Sequence, residues 1–218
     1  MNILFKFPSR GRPEKFKSTL TKHVKCLSGK HKYKFVFSFD NDDETMKEED
    51  IKSFLDELNI NYKIFYGDNK NKIEAINANM KNQRFDILIL IADDMIPVLE
   101  NYDEIICDIF EKSENGLDST IHFYTPMWAD ILDVWCIMGK KYYNRFKYIY
   151  HPSYKSIFCD NEYTEVSKML GKRIFSEIYP FEHHNQRGDA TEIKNWQYND
   201  EDTRNFYQRK DKNFDLPI

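Results

Sequence analysis

Two adjacent carboxylates, Asp93 and Asp94, follow the aliphatic run Ile87–Ile91 in the stretch "ILILIADDMIP". Like charges repel, and beside an apolar interior each is costly unless it is paired or bound to a cation. Hard oxygen ligands at the end of a strand suit Mg²⁺ or Mn²⁺ held partly by substrate phosphates. Successive strand residues point to opposite faces, so both acids need not touch the metal. The competing reading is a turn of solvated acids ahead of Pro97.

Five other stretches carry side chains suited to the same chemistry. In "PSRGRP", Pro8 and Ser9 lead into Arg10 and Arg12, which flank Gly11. Two guanidiniums on a flexible turn can grip phosphate or stack on a base. The loop matches neither GxxxxGK[ST] nor GxGxxG, and a solvated turn with Pro13 opening a helix is the plainer alternative. Asp40 ends an apolar run and offers an acceptor for a ribose or base edge, whereas Asp42, Asp43 and Glu44 read as helix-start acids. In "GDNKNKIEAIN", Lys72 at a helix start opposes the helix dipole and wants an anion nearby, while Asn71 and Asn77 offer hydrogen bonds. Asp160 and Glu162, in "FCDNEYTEV", are general-base candidates or simple first-turn acids. His183 and His184, in "PFEHHNQRGD", complete a metal site begun by Asp94 or lie exposed.

These residues need elements to position them. Apolar runs at 2–7, 33–39, 61–66 and 86–91 alternate with helical stripes: Phe16, Leu20, Val24, Leu27; Ile51, Phe54, Leu55, Leu58; Ile73, Ile76, Met80; and Tyr102, Ile105, Ile106, Ile109, Phe110, with Asn101 as N-cap. The alternation predicts an α/β fold with a mostly parallel sheet flanked by helices, its right-handed crossovers leaving the strand ends on one edge. Ligands bind beyond that carboxyl edge. The second half predicts strands at 119–124 and 133–138, then a helix over 161–170 stopped by Gly171. From Glu182 onward the chain is polar without a clear period. The absence of repeats or a Pro/Gly linker argues for a single domain.

The composition sets bounds. With 218 residues, 41% apolar and 16% aromatic, the chain is globular. A net charge of −4 exerts no global pull toward nucleic acid, although Lys140, Lys141, Arg145 and Lys147 could line a local groove. No apolar run reaches the ~20 residues of a membrane span, and the first residues lack a signal-peptide pattern. Four scattered cysteines without a CxxC pair fit reduced thiols in a cytoplasm. Abundant Lys, Asn, Ile, Phe and Tyr suit the AT-rich coding of a low-GC bacterium, a phage or another virus.

In this order the pieces resemble nucleotide-sugar glycosyltransferases of the GT-A (Rossmann-like) fold, near the family-two type, in the short versions of phage and bacterial genomes. The carrying residues are "FPSRGRP", "FDND", "NKIEAIN", "ADDM", "CDNE" and "EHHN", covering roughly residues 2–190. The resemblance implies that the Pro8–Arg12 loop, Asp40, Asn71 and Lys72 serve the nucleotide, with Asp93 on metal or ribose. It implies that Asp94 ligates Mn²⁺ or Mg²⁺, that His183 rather than His184 joins it, and that Asp160 is the base with Glu162 behind it. A strict D-x-D would need an acid where Ala92 stands, which leaves the roles of Asp93 and Asp94 open. Residues 1–100 would form the nucleotide-binding half, 101–190 the acceptor and catalytic half, and 191–218 a tail. The implied activity is transfer from a nucleoside-diphosphate sugar, UDP-sugar favoured, to an acceptor hydroxyl on a polysaccharide, a protein or a modified phage DNA base. Tyr124, Trp128 and Trp135 offer an acceptor-side wall, with core packing as the alternative. A metal-dependent nucleotidyltransferase, a phosphohydrolase and a non-catalytic nucleotide-sugar-binding module are the alternatives.

Overall fold

The computed structural model describes residues 1–184, 193 and 195–217. Its sheet begins with β1 (Asn2–Pro8), β2 (Lys32–Asp40), β3 (Tyr62–Gly67) and β4 (Ile87–Leu90), connected by α1 (Pro13–Cys26), α2 (Glu48–Glu57) and α3 (Lys72–Asn77). These strands pair in parallel in the order β3-β2-β1-β4. After β5 (Met95–Pro97) and α4 (Tyr102–Lys112), β6 (Thr120–Phe123), β7 (Ile137–Gly139) and β8 (Arg173–Ser176) extend the sheet to seven strands. Only β7 runs against the rest, antiparallel to both β4 and β6, while β8 is parallel to β6. The carboxyl ends of six strands therefore share one edge with the start of β7.

Alternation along the strands divides the interior in two. Phe5, Phe7, Phe35, Phe37, Ile87 and Ile89 face α1, α2 and α4, where Phe16, Leu20, Leu55, Ile106 and Phe110 close a core rich in ring contacts. Leu4, Val36 and Leu88 face the other side, covered by α3, α5 (Lys140–Phe146), α6 (Cys159–Met169) and α7 (Asn199–Lys210). Burying rings of this size supplies much of the folding free energy, at roughly 25 cal/mol per Å² of apolar surface.

The second half departs from the sequence reading in its boundaries. The strand expected at 133–138 is only Ile137–Gly139, because Asp133 and Trp135 belong to a loop. The helix expected over 161–170 starts earlier, at Cys159, and Gly171 stops it at φ +63°. Asn101 precedes α4 but makes no side-chain cap; its backbone is left-handed at φ 57°, a conformation Asn tolerates. The segments β5, β8, β9 (Phe181–His183), α5 and α7 have no counterpart in the sequence reading. No described helix is long and apolar enough to cross a membrane. Cys107, Cys136 and Cys159 are buried free thiols, and Cys26 is half-buried.

Candidate active site

The strands deliver Asp93 and Asp94 to the carboxyl edge, where they meet different fates. Asp93 turns inward, its side chain 1% exposed. Ser9 Oγ donates to its Oδ1 at 2.9 Å, and Arg12 Nε lies 3.0 Å from its Oδ2. Burial pushes the Asp93 carboxyl up to about 6 against the pull of Arg12 and Ser9. With both oxygens engaged, Asp93 ties the first loop to the fourth strand. Thr19 Oγ1, on α1, donates to the Asp93 carbonyl at 2.7 Å and fixes this turn from beneath.

Asp94 faces outward, its side chain 25% exposed. A small sheet brings a late segment to it: β5 pairs antiparallel with β9, setting Met95 opposite His183. The His184 amide donates to the Asp94 carbonyl at 2.8 Å, and His183 Nε2 sits 3.1 Å from Asp94 Oδ2. Burial raises the Asp94 carboxyl, but the His183 hydrogen bond and the charges of His183, Lys72 and Arg12 bring it below its ordinary value. His183 is further fixed by an edge-on contact with Trp135, ring centroids 5.4 Å apart. The His184 ring instead pairs with Glu182 at 2.8 Å. Asn185, the last residue of "EHHN", lies outside the described residues.

Among the described residues no group of three His, Cys, Asp or Glu side chains encloses a metal. The donor set of Asp94 and His183, one carboxylate and one imidazole on an open rim, nevertheless fits a divalent cation completed by oxygens of a bound diphosphate. It does not fit an all-protein cage.

The remaining sequence candidates separate into those at this rim and those engaged elsewhere. Arg10 donates from Nη1 to Asp40 at 2.6 Å and to Asp42 at 2.6 Å, and Asn69 Nδ2 donates to the other Asp40 oxygen at 2.8 Å. The Gly11 amide donates to Asp43 at 2.7 Å, so the ends of β1 and β2 are laced together by charge. Lys72, at the start of α3, exerts a charge effect on both Asp94 and Asp160, helping to lower the first and opposing the burial that raises the second. Asn71 caps α3: its Oδ1 accepts from the Glu74 amide at 2.9 Å. Asn77 accepts from the Ile149 amide and donates to the Tyr150 carbonyl, a structural tie and not a ligand contact.

Asp160 and Glu162 part company as well. Asp160 opens α6 behind Phe158, whose φ of 61° is unusual for an aromatic residue. Burial raises its carboxyl despite the opposing charge of Lys72. Glu162 is buried with both oxygens taken: Arg209 Nε and Nη2 donate at 2.6 and 2.9 Å, and Tyr154 Oη at 2.8 Å. The structure thus holds Glu162 away from the rim, where an understudy base would have to stand.

Sequence reasoning missed the support for Asp160. Asp202, fully buried on α7, accepts from the consecutive amides of Lys155, Ser156 and Ile157 at 2.9, 2.8 and 2.9 Å. Phe158 packs against Phe206 of the same helix. The visible signal was Asp202, Phe206 and Arg209 at i, i+4 and i+7, one helical face whose members are mostly charged. The basic residues proposed as a groove lie elsewhere. The reversed β7 carries α5 to the opposite edge of the sheet, where the Lys140 amide donates to the Asp86 carbonyl and Arg145 pairs with Asp118. Of the proposed aromatic wall, Trp135 is core at 3% exposure, while Tyr124 and Trp128 are open at 37% and 39%.

No family model and no curated protein matches the chain. Solved structures do. The mannosyltransferase PcManGT from Pyrobaculum calidifontis, in complex with GDP-Man and Mn²⁺, superposes with a TM-score of 0.68 at 9% identity, covering 85% of this chain and 58% of that one. S. aureus TarS 1–349 with UDP-GlcNAc gives 0.67 at 12% identity over 88% and 61%, and its complex with UDP gives 0.63 at 10% over 83% and 59%. The chain thus spans about three-fifths of the length of these proteins. The fold they share with it is that of GT-A-type nucleotide-sugar glycosyltransferases.

Proposed function

We propose that this protein transfers a glycosyl group from a nucleoside-diphosphate sugar, a UDP-sugar in the favoured case, to an acceptor hydroxyl. The observation that carries the reading is the meeting of Asp94 with His183 at the carboxyl edge, where Lys72 also acts by charge on Asp94 and on Asp160. The laced loops bearing Ser9, Arg10, Arg12 and Asp40 offer a charged bed for the nucleotide next to it.

In the reaction the acceptor oxygen bonds to the anomeric carbon, the bond from that carbon to the diphosphate oxygen breaks, and the acceptor proton is left over. A divalent cation, Mn²⁺ or Mg²⁺, held by Asp94 and His183 would supply Lewis-acid stabilisation of charge on the diphosphate. Lys72 and Arg12 add fixed positive charge beside it, preorganised before the substrate arrives. Asp160 takes the acceptor proton in an inverting transfer; the burial that raises its carboxyl makes it a stronger base than an ordinary aspartate. Asp93 positions the Ser9–Arg12 loop. The reading takes residues 1–100 as the nucleotide half, 101–190 as the acceptor half and 191–218 as a tail within one domain, acting in the cytoplasm.

The test is release of nucleoside diphosphate from a panel of UDP-sugars and GDP-mannose with Mn²⁺, with and without chelator. Turnover that needs the metal, and that Asp94→Ala lowers by about 10²–10³-fold while the protein stays folded, supports the proposal. Failure to bind UDP or GDP with Mn²⁺ present, together with no turnover of any sugar nucleotide, refutes it.

A further inference from the structure

We propose that an open hollow at the β6–β8 end of the carboxyl edge is the acceptor subsite and that it takes an uncharged saccharide. The proposal deepens the glycosyl-transfer reading and rests on it. The hollow, about 380 Å³, is lined by Tyr124, Ala129, Asp130, Phe175 and Glu177. Tyr124 and Phe175 stand 37% and 40% exposed, beside Trp128 at 39%. Exposed rings gathered in one place mark a binding surface more often than chance. A ring face buries the C–H face of a pyranose, and carboxylates accept its hydroxyl protons. The lining carries two acids and no basic residue, and Arg173, which reaches Phe175 and the Asp130 carbonyl, is paired with buried Asp133, so the balance at the hollow disfavours a phosphate or other polyanion. The basic residues of α5 lie on the opposite edge and offer that polyanion nothing here.

The hollow is built, and a buried polar cluster holds its walls. His122 Nε2 donates to the Ala129 carbonyl at 2.8 Å, and the same ring stacks on Phe175 with centroids 5.4 Å apart. One buried imidazole therefore sets the spacing between two walls. Arg173 donates to the Asp130 carbonyl at 2.7 Å and to Asp133 Oδ1 at 2.7 Å, and Asp133 Oδ1 lies 2.9 Å from His122 Nδ1. Ala129 is held at φ +46°, a conformation that costs an alanine energy unless its surroundings enforce it. The frame is continuous with the candidate base. The Asp133 amide donates to Thr164 Oγ1 at 2.9 Å, and Thr164 Oγ1 donates to the Asp160 carbonyl at 2.8 Å. A sugar seated here rests on the same rigid scaffold that presents Asp160.

Saccharide binding can be measured by NMR on the intact chain with no donor present, so the outcome is independent of sugar-nucleotide turnover. The probes are the methyl glycosides of glucose, galactose, mannose and N-acetylglucosamine, their short oligomers, the matching glucuronide and duplex DNA. At least one neutral saccharide is expected to bind. Phe175→Ala should weaken it about tenfold, Phe175→Trp should retain it, and Lys141→Glu on the opposite edge should change nothing. The glucuronide and DNA should bind at least about tenfold more weakly than the neutral sugar. Absence of neutral saccharide binding, equal binding by Phe175→Ala, or preference for DNA overturns the proposal. So does a dimer, seen in sedimentation, that Phe175→Ala dissolves, because a second copy would then occupy the face. Saccharide binding alongside failure to bind UDP or GDP with Mn²⁺ and no sugar-nucleotide turnover would instead sink the glycosyl-transfer reading.

Discussion

The two ends of the carboxyl edge are built in opposite senses. At the β1–β2 end the rings are inside and the charges outside: Phe7, Phe37 and Phe39 pack below, while above them Arg10 binds Asp40 and Asp42 and the Gly11 amide binds Asp43. At the β6–β8 end polar and charged groups are inside and rings outside, with His122, Asp133 and Arg173 beneath Tyr124 and Phe175. A loop expected to grip a charged diphosphate benefits from charge at its surface, held apart in advance by counter-charges. A platform for a neutral ring benefits from apolar surface on a stiff base, since stiffness lowers the entropy lost on binding. Inverting the two layers converts one sheet edge into two kinds of surface.

The sharpest test of that contrast lies between the two ends, on α6. Asp160→Asn is predicted to lower kcat by about 10²–10⁴-fold with KM for the donor little altered, as expected for loss of a general base. Unchanged kcat would break the link between the acceptor frame and catalysis. Glu162, two residues on, should behave differently. Arg209→Leu leaves its buried carboxylate facing an apolar group and is predicted to destabilise the fold by roughly 3–5 kcal/mol, read in urea denaturation. A loss below about 1 kcal/mol would show that α7 does not hold α6 in place.

What the sequence made legible follows the same division. The four parallel strands alternate with helices at regular spacing, so their order and the polar residues at their ends were readable, Asp94 and Lys72 included. The engagement of Asp93 was not readable, because the pattern "DD" carries no record of Ser9 and Arg12 folding over one of the two acids. The second half was poorly legible. Its strands have three or four residues, too few for a period, and β7 reverses direction without a sequence cue. Helix α7 escaped notice because its inner face uses Asp202 and Arg209 where a hydrophobic stripe was sought. Tertiary hydrogen bonds stand there in place of apolar burial.

Lys6 is the exception that tests the donor end, since it is a basic side chain placed beneath it. It is fully buried, donating to Ser38 Oγ and, at 2.9 Å, to the Ala78 carbonyl after α3. Burial pushes its ammonium down to about 7 from the ordinary 10.5. Between these values the unfolded chain holds a proton that the folded chain lacks, so stability rises as pH rises. Between pH 7 and 9, below the range where buried phenols titrate, the slope from this one group approaches 1.4 kcal/mol per pH unit. Lys6→Met is predicted to flatten that slope in urea denaturation at stepped pH. An unchanged slope would mean that Lys6 keeps its proton in the fold, and the donor end would then sit on a buried charge as the acceptor end does.

The smallest effect is expected where neither kind of surface is built. On the amino edge Arg145 pairs with Asp118, which Lys172 also approaches to 3.1 Å, and the Arg145 side chain is 40% exposed. This pair resembles the Arg10–Asp42 contact in charge and in the exposure of its arginine, but no candidate site residue stands beside it. Solvent and salt screen such a pair, and Lys172 remains to neutralise Asp118 when Arg145 is removed. Arg145→Ala is therefore predicted to cost less than about 1 kcal/mol, shrinking further in high salt, with donor turnover and saccharide binding unaltered. A loss of either activity would place functional surface on the amino edge and end the contrast between the two halves of the carboxyl edge as the source of function.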